Sequence, residues 1–370
     1  MSLYGLWMEN PAPSIADVEM ALQGNLCRCT GYAPIVRAGV ARGDYWTENA
    51  DPLLAERQSI MSTLNGFTDG ARVEMGIESQ KFTLPADVDD LADILDAAPE
   101  SRIVAGGTDV GLWVTKFMRD LGPVIYTSHL ADFRKIEFGQ QFGQRGVIFG
   151  GGATYTEVMP LITQYFPDMA GLWKRIGGQQ VRNAGTIGGN IANGSPIGDT
   201  PPPLMALGST ITLRKGGKRR VLKLEDFFIA YGEQDRAPGE FIERIFVPFV
   251  PMGDRFAVYK ISKRQDEDIS SLCGAFRLTL ADGNVDAAII VFGGMATTPK
   301  RARAVEAELV GKPWTLETVE RAMLRFADDY QPISDMRASA DYRAMTAQNL
   351  LMRFYFESIG EAESLSRGVA

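Results

Sequence analysis

The sequence contains very little histidine and cysteine. Its 370 residues include one histidine, His129, and three cysteines. A lone histidine argues against multi-histidine metal sites and weakens any histidine-triad chemistry, so a hydrolase is not expected. Three cysteines cannot form a disulfide framework, which favours a reducing compartment and predicts a cytoplasmic protein.

Long apolar runs and excess positive charge are also absent from the sequence. No apolar stretch approaches the ~18 residues of a membrane span, and no basic segment followed by an apolar one opens the chain. The 38 Lys and Arg residues against 46 Asp and Glu residues give a net charge of −8. This balance argues against nucleic-acid binding. Hydrophobic residues at 45% and charged residues at 23% are typical of globular proteins, and the length suggests two or three domains. We therefore expect neither a nucleic-acid partner nor a membrane.

Two cysteines lie one residue apart near the N-terminus, in N-L-C-R-C-T-G-Y. Cys27 and Cys29 fall in a predicted loop, where two thiolates can ligate one [2Fe–2S] cluster, but such a cluster needs four ligands. Cys273 and His129 are the other candidates, and both lie in distant segments that look like a strand and a strand end. From spacing alone, the pair is either two inert thiols or half of a metal site.

Two glycine-rich segments lie in one predicted domain. Gly106 and Gly107 end a predicted strand and open a helix, which turns backbone N–H groups towards an anion. The P-loop lysine and the G-x-G-x-x-G fingerprint are absent. The second segment, residues 184–199, reads A-G-T-I-G-G-N-I-A-N-G-S-P-I-G-D and is predicted to be too rich in glycine for a helix. Either loop alone is typical of a plain turn, whereas the two together, with an aspartate at each end, make a dinucleotide pyrophosphate site an equal alternative to plain turns.

Several charged positions allow two interpretations. Asp109 and Asp199 are candidates to accept hydrogen bonds from ribose or ribityl hydroxyls, or to compensate a helix N-terminus. The basic run over residues 214–220 is either a solvated hairpin tip or a docking patch for an acidic partner. Residues 260–268 are predicted to be a solvated, mobile loop between two strands, and Cys273 a buried apolar residue of a strand.

Taken together, the motifs resemble a known family. They are N-L-C-R-C-T-G-Y, A-G-G-T-D-V, T-I-G-G-N-I-A-N-G-S-P-I-G-D, Y-K-I-S-K-R-Q-D-E-D-I-S, F-G-G-M-A and S-D-M-R-A-S-A-D-Y-R. The chain resembles, over nearly its whole length, the small FAD- and iron–sulfur-binding subunit of bacterial xanthine dehydrogenases, which are molybdenum hydroxylases. The long glycine-rich motif is specific to this flavoprotein superfamily, and its combination with C-R-C on one chain indicates xanthine dehydrogenase.

The resemblance implies an α+β fold with four consecutive parts. Residues 1–46 would be the C-terminal part of a helical [2Fe–2S]-binding domain, and 47–79 a linker. Residues 80–250 would form a two-part FAD-binding domain of the PCMH type. Residues 251–365 would form an α+β C-terminal domain like that of carbon monoxide dehydrogenase flavoproteins.

The resemblance also assigns site residues. The first flavin loop would comprise Ile103, Val104, Ala105, Gly106, Gly107, Thr108, Asp109 and Val110, whose amides would meet the diphosphate. The second loop would comprise Thr186, Ile187, Gly188, Gly189 and Asn190. Ile176 would contact the isoalloxazine or adenine surroundings, Asp199 would be a polar anchor, and Lys260 a contact from the second domain. Cys27 and Cys29 would be metal ligands, the acidic loop 266–268 would lie near the flavin ring, and no residue is assigned a catalytic role.

The implied activity is an electron relay that needs other components. A partner large subunit would hold the molybdenum cofactor and hydroxylate a purine, and electrons would pass through [2Fe–2S] clusters to FAD and then to NAD⁺. The chain is therefore expected to work in a hetero-oligomer. The family supplies the second cluster's other two cysteines as C-x-x-C just upstream of Met1, so the chain is expected to be cut within the cluster domain. Other molybdenum hydroxylases, acting on an aldehyde or an N-heterocycle, and a non-catalytic assembly module are the alternatives.

Overall fold

Short helices form the N-terminal part of the chain. The computed structural model describes residues 1–45, 51–77 and 80–361. The first elements are α1 Ser2–Glu9, α2 Ile15–Leu22, α3 Tyr32–Ala41 and a 3₁₀ turn Arg42–Tyr45. Ser14 begins α2 with a capping box, in which its hydroxyl accepts from the Asp17 amide and the Asp17 carboxylate accepts from the Ser14 amide. The close packing of α2 on α3 needs Gly39, because a Cβ there would lie 2.8 Å from a Val18 methyl.

The segment predicted as a linker contains regular structure. Helix α4 Pro52–Asn65 begins at Asp51, whose carboxylate accepts from the Leu53 amide. Strand β1 Val73–Ile77 then pairs with the next strand of the chain. The boundaries predicted at residues 46–47, 79 and 365 lie at or within positions outside the described residues. The division into four parts remains a prediction.

A small sheet carries the first glycine loop. Its strand order is β1-β2-β4-β3, with β2, β3 and β4 parallel to one another and β1 antiparallel to β2. The further elements of this layer are β2 Gln80–Leu84, α5 Val88–Ala97, β3 Arg102–Val104, α6 Val110–Phe117 and β4 Val124–Tyr126. A satellite core around Leu91, Leu95 and Ile125 seals α5 onto the sheet.

A five-stranded antiparallel sheet forms the centre of the next region. Its order is β5-β6-β11-β7-β8, and it comprises β5 Ile136–Gln141, β6 Gln144–Gly150, β7 Thr210–Lys215, β8 Lys218–Lys223 and β11 Phe241–Pro248. A ribbon pairs β9 Phe228–Ala230 with β10 Glu233–Gln234. The helices are α7 Tyr155–Tyr165, α8 Pro167–Lys174, α9 Gln179–Ala184, α10 Ile187–Asn193, α11 Pro201–Leu207 and α12 Leu224–Phe227. The main core includes the fully buried side chains of Trp173, Phe149 and Phe227, each of which contributes ~2–3 kcal/mol through burial.

The C-terminal region is a second α+β layer. Its antiparallel sheet runs β12 Arg255–Ile261, β13 Leu272–Ala281, β14 Asn284–Gly293 and β15 Lys300–Arg301. Helices α13 Arg303–Leu309, α14 Leu316–Met323, α15 Phe326–Asp329 and α16 Ala340–Ser358 cover it. The sequence predicts a helix starting near Lys300, but that residue lies in β15 and the helix begins at Arg303. The short helix α15 is not predicted.

The predicted α+β class is confirmed by the mixed sheets and helices, and by the domain matches reported below. None of the helices described here is long and apolar enough to cross a membrane.

Candidate functional site

The first glycine loop links β3 to α6. Gly107 has φ +67°, in the left-handed region that favours glycine. A Cβ on Gly106 would lie 1.8 Å from the Ala184 carbonyl oxygen. Because residue 106 has no side chain, the backbone of the first glycine loop can contact the backbone at Ala184, just before the second glycine loop. Ile103 and Val104 pair with β4 on one side of β3, and β3 is the edge strand of its sheet among the residues described, so the assignment of residues 103–110 to the first flavin loop stays a prediction.

The second glycine-rich segment contains a helix, so the prediction that it is too rich in glycine for one is wrong. Helix α10 spans Ile187–Asn193 and begins at Thr186, whose hydroxyl accepts from the Gly189 amide at 3.0 Å. Tertiary packing outweighs the weak helix propensity of two glycines, because Ile187 and Ile191 are fully buried in the core. Gly194, with φ +65°, ends the helix.

Close backbone packing fixes α10 in place. A Cβ on Gly188 would lie 2.3 Å from the Gly151 carbonyl oxygen, and the Gly188 amide donates to that oxygen at 3.2 Å. Gly189 is exposed, and a Cβ there would meet the Thr186 hydroxyl at 2.7 Å. Gly188 is thus required by the scaffold, whereas Gly189 lies on the open side of the loop.

The two glycine loops together fit a dinucleotide cofactor such as FAD. They meet at Gly106, and glycine at 106 and 107 leaves the backbone of the first loop uncovered by side chains. Within the described residues, Asn190 Oδ1 is a buried acceptor without a hydrogen-bond partner. This atom lies near the turn after α10, since a Cβ on Gly198 would be 3.3 Å from it. A polar group of a ligand that reaches this position would satisfy it, since buried polar groups normally have a partner. Thr108 and Asp109 are exposed at the mouth of the first loop, where Asp109 accepts from the Trp113 indole N–H at 3.1 Å.

Asp199 and Lys260 form a buried ion pair between the FAD-domain segment and β12. Lys260 Nζ lies 2.5 Å from Asp199 Oδ2, and the two side chains are 3% and 9% exposed. Ser270 Oγ donates to Asp199 Oδ1 at 2.6 Å. The prediction that residue 260 belongs to a mobile loop is therefore wrong, because Lys260 is in a strand and buried. Sequence analysis places both residues at the site, and the structure brings them together.

The same region includes contacts of the F-G-G-M-A motif. The Gly294 amide donates to the Pro196 carbonyl at 2.7 Å, and Gly294 has φ +82°. This motif fastens the second domain to the turn that precedes Asp199.

Ile176 lies after α8, next to a buried arginine that the sequence analysis does not single out. Arg182 is 1% exposed and donates to the carbonyls of Lys174 at 2.8 Å and Gly177 at 2.6 Å. The same guanidinium donates to Gln23 Oε1 of α2 at 2.9 Å. Arg182 therefore joins the turn containing Ile176 to the N-terminal helices.

The acidic loop 266–268 packs against this junction. Gln23 Nε2 donates to Asp266 Oδ1 at 3.0 Å. Arg175 holds the start of the loop by donating to the Lys260 carbonyl at 3.1 Å and to the Gln265 carbonyl at 2.9 Å. The pKa of Arg182 is lowered by burial, which the carboxylates of Glu267 and Asp266 partly oppose. The loop is thus held by several contacts, and its acidic groups face a buried cation.

Cys27 and Cys29 form only part of a metal centre. The amides of Thr30, Cys29 and Gly31 lower the pKa of the Cys27 thiol, which favours a thiolate ligand. Within the described residues, no group of three or more His, Cys, Asp or Glu side chains is arranged to hold a metal ion. Cys273 is buried as predicted, and burial raises its thiol pKa well above the usual range. The two cysteines suit two ligand positions, and the residues described do not complete a [2Fe–2S] site.

His129 has a structural place. Its Nε2 lies 2.7 Å from the Pro85 carbonyl oxygen, and its ring stacks on Tyr126 at 6.5 Å between centroids. The contact ties β4 to the chain after β2.

Ion pairs occupy most of the basic run over residues 214–220. Arg214 and Arg219 both pair with the buried Glu243, at 3.0 and 2.6 Å. Arg220 pairs with Glu240 and Asp235. These arginines hold β7, β8 and β11 together, so the run is not an open docking patch. Gly217, Lys218 and Arg219 are exposed, as the interpretation as a solvated hairpin tip predicts.

Three domain-family models match the chain in sequence order. A [2Fe–2S] binding domain matches residues 1–39, the FAD binding domain in molybdopterin dehydrogenase matches 77–250, and the CO dehydrogenase flavoprotein C-terminal domain matches 257–358. These matches support both FAD and an iron–sulfur cluster as cofactors.

Curated relatives align along almost the whole chain. Xanthine dehydrogenase/oxidase of Rattus norvegicus is 25% identical over 415 residues and aligns with 98% of this chain. Xanthine dehydrogenase of Emericella nidulans is 27% identical over 422 residues and aligns with 99% of this chain. The chain spans 31% of the length of each.

Solved structures share the fold of the two larger parts. Carbon monoxide dehydrogenase from Hydrogenophaga pseudoflava matches with a TM-score of 0.69 and 26% identity, over 75% of this chain and 96% of that one. Quinoline 2-oxidoreductase from Pseudomonas putida matches with a TM-score of 0.67 and 22% identity, over 78% of this chain and 99% of that one.

The fold, the glycine loops and the domain models together define a chain with an FAD-binding domain that is similar to the flavoproteins of molybdenum hydroxylases. Within that class, two curated relatives that align with 98–99% of this chain are xanthine dehydrogenases.

Proposed function

We propose that this chain is the FAD-binding electron-transfer subunit of a xanthine dehydrogenase. It would receive electrons from purine hydroxylation at a partner subunit that carries the molybdenum cofactor, and deliver them to NAD⁺. The observation that carries this proposal is the order of three domain matches on one chain, together with alignment to xanthine dehydrogenases over 98–99% of its length.

The two glycine loops would bind the diphosphate of FAD. The backbone from Ala105 to Asp109 would face the phosphates, because Gly106 and Gly107 present no side chain there. Thr186 holds the start of the second loop through its bond to the Gly189 amide. Asn190 would donate or accept at the ligand through its amide. The Ile103–Val104 strand end and Ile187–Gly188 would support these loops from behind.

Residues around the isoalloxazine ring would orient it and exclude water. FAD bound here would supply one-electron acceptance and hydride-transfer chemistry, with NAD⁺ as the proposed acceptor. Ile176, which packs partly buried against the main core, would supply apolar surface near the ring. The Asp199–Lys260 pair supplies charged atoms at the boundary with the C-terminal sheet. The acidic loop 266–268 would face the nicotinamide acceptor or influence its access.

Cys27 and Cys29 would be two of the four ligands of a [2Fe–2S] cluster. The domain match over residues 1–39 supports this assignment. The described residues supply no third or fourth ligand, so these two thiols alone would not retain a cluster and no electron-transfer step is assigned to it.

A second candidate is the flavoprotein of another molybdenum hydroxylase, one that oxidises an aldehyde or an N-heterocycle. The match to carbon monoxide dehydrogenase at 26% identity favours keeping it, since the flavin module is shared while the substrate would bind on the partner subunit. A substrate panel on the assembled complex distinguishes the two: hydroxylation of hypoxanthine and xanthine supports the first, and activity confined to other heterocycles or aldehydes supports the second.

The test of flavin binding is the absorption spectrum of the purified full chain, followed by identification of any released flavin. Stoichiometric FAD, and reduction of a dye by NADH that is lost when the flavin is removed, would support the proposed function. Absence of flavin after incubation with FAD would contradict it and favour a non-catalytic assembly module. Flavin binding without any reaction with NADH would contradict only the choice of acceptor.

A further inference from the structure

The residues that follow β4 hold the first glycine loop by its carbonyl groups. Ser128 Oγ donates to the Ala105 carbonyl at 2.7 Å, and the Thr127 amide donates to the Val104 carbonyl at 3.1 Å. In a planar trans peptide the C=O and the following N–H point in opposite directions. By holding the Ala105 carbonyl, Ser128 therefore directs the Gly106 N–H away from itself.

Arg134 connects Ser128 to α7. Its guanidinium donates to the Ser128 carbonyl at 3.1 Å and, through Nε, to Glu157 Oε1 at 3.0 Å. A second nitrogen of Arg134 also pairs with Glu157. The Arg134 and Glu157 side chains are 38% and 32% exposed, so both can be changed without opening the core.

Glu157 connects the same arginine to the second glycine loop. Its Oε2 accepts from the amide and the hydroxyl of Thr154, both at 2.9 Å, which forms the capping box of α7. Thr154 pairs with Thr186 as an isolated antiparallel bridge. On either side of that pair, the Ile187 amide donates to the Ala153 carbonyl at 3.0 Å, and the Tyr155 amide donates to the Gly185 carbonyl at 3.1 Å.

The residues Ser128, Arg134 and Glu157, here called the loop tie, thus form a continuous path between the two glycine loops, in which Ser128 uses its hydroxyl towards Ala105 and its main-chain carbonyl towards Arg134. The path is separate from the direct contact of Gly106 with Ala184. It meets one loop at the Ala105 carbonyl and the other at the strand-like pair of Thr154 with Thr186.

We infer that the loop tie is a set of positioning residues, which holds both glycine loops in register for the diphosphate of one FAD molecule. This inference rests on the proposed function, because it requires FAD to lie between the loops. None of the three residues touches the ligand in this role. Each acts on the direction of loop amides, so the ADP half of FAD would depend on the loop tie and the flavin ring would not.

The test measures the affinity of the flavin-free full chain for three ligands: FAD, ADP and riboflavin. The variants are Ser128→Ala, Arg134→Met and Glu157→Gln. Glutamine at 157 still accepts from the Thr154 amide, so it removes the ion pair and keeps the helix cap. Arg145→Met is the matched control, because Arg145 is exposed on β6 and its side chain has no ion pair or hydrogen bond among the residues described. The melting temperature of each protein reports folding independently.

We expect each variant to bind FAD and ADP about fivefold more weakly, which is the effect of about one lost hydrogen bond. The affinity for riboflavin should stay within about twofold of that of the parent chain. In the double variant Ser128→Ala with Arg134→Met, the fold-loss of FAD affinity should be smaller than the product of the fold-losses in the two single variants, since both residues act on one path. If Arg134→Met does not fold, Arg134→Lys, which keeps the charge and loses the fork, is expected to show the same selective loss.

An equal loss of affinity for all three ligands would overturn the inference, because it would indicate a general structural role of these residues. So would parent-like affinity for FAD and ADP in folded variants. Failure of the parent chain itself to bind FAD would instead overturn the proposed function, and this inference with it.

Discussion

Lys260 Nζ lies 2.5 Å from Asp199 Oδ2, in a pair that is almost completely buried where the FAD-domain segment meets β12. Ser270 completes the coordination of the carboxylate at 2.6 Å. Taking two charges out of water is costly, so such a pair is stable only while both partners remain. The pair therefore makes the boundary between the two larger parts of the chain sensitive to single substitutions.

Loss of the lysine is expected to be strongly destabilising. Lys260→Met would leave Asp199 buried and unpaired, and the free energy of unfolding should fall by about 3 kcal/mol. Urea unfolding followed by tryptophan fluorescence measures this change. The double variant Asp199→Asn with Lys260→Met should recover part of the loss, because no buried charge is then left alone. A single Lys260→Met variant as stable as the parent would contradict the buried pair.

The contact between the two glycine loops gives a second prediction. Gly106→Ala places a methyl group 1.8 Å from the Ala184 carbonyl oxygen, so the loops must separate, and FAD affinity should fall at least about 100-fold. The measurement is a fluorescence titration with FAD. Gly111→Ala is the control, because a Cβ there meets nothing within 4 Å. Because residue 111 lies in α6, Gly111→Ala should raise the free energy of unfolding by about 0.5–1 kcal/mol. The variant protein should bind FAD with the affinity of the parent chain. Equal affinity of the two variants would show that the loops do not form the site.

The buried arginine next to the Ile176 turn gives a third prediction. Arg182→Met removes the donor that serves the Lys174 and Gly177 carbonyls, and each buried acceptor left unsatisfied costs about 1–3 kcal/mol. Hydrogen exchange should accelerate in residues 174–177 and in α2, which loses its contact at Gln23. Arg37→Met, on the exposed face of α3, should leave both segments unchanged. Acceleration confined to residues 174–177 would indicate that Arg182 does not hold α2.

Asp335 gives a prediction that depends on pH. Partial burial opposes ionisation, but donation by Arg343 and by the amides of Arg337 and Ala338 outweighs it and lowers the pKa from 3.8 to about 2. A carboxyl group with a lowered pKa contributes stability above its ordinary pKa, and loses it as the pH falls through its folded value. Asp335→Asn should therefore cost about 1 kcal/mol at pH 7, since solvent screens part of the interaction.

The cost of Asp335→Asn should shrink as the pH falls from about 4 to about 2, where half of the parent carboxyl groups are protonated, and should vanish below that pH. Urea midpoints at several pH values measure it. Asp341→Asn, at an exposed first-turn position of α16, is the control. A difference that stays constant with pH would rule out the proposed ionic contribution.

Local signals in the sequence predicted several elements closely. Ser14, followed three residues later by Asp17, is a capping pattern that predicts the start of α2. The three- and four-residue spacing of Val110, Trp113 and Phe117 predicts α6, because caps and apolar periodicity act within a few residues. Gly106 and Gly107 were recognisable as a strand-to-helix turn for the same reason. The resemblance to a known family added Asp199 and Lys260 as separate site candidates, without predicting that they pair.

Other parts of the site were not predictable from local pattern. Helix α10 forms despite its two glycines because Ile187 and Ile191 are buried in the main core. That core exists only once the sheet has assembled. Ser128 and Arg182 carry no motif of their own. Their roles depend on carbonyl groups that lie 23 residues away for Ser128 and on a side chain 159 residues away for Arg182.

The sequence by itself determined the α+β class, the glycine turns and the scarcity of metal ligands, because composition, periodicity and turn chemistry are properties of short segments. Only the tertiary structure decided which of these segments meet. The approach of Gly106 to Ala184, the pairing of Asp199 with Lys260 and the loop tie all join residues far apart in the chain, and their energies come from burial and hydrogen-bond geometry that do not exist until the sheets and helices have packed.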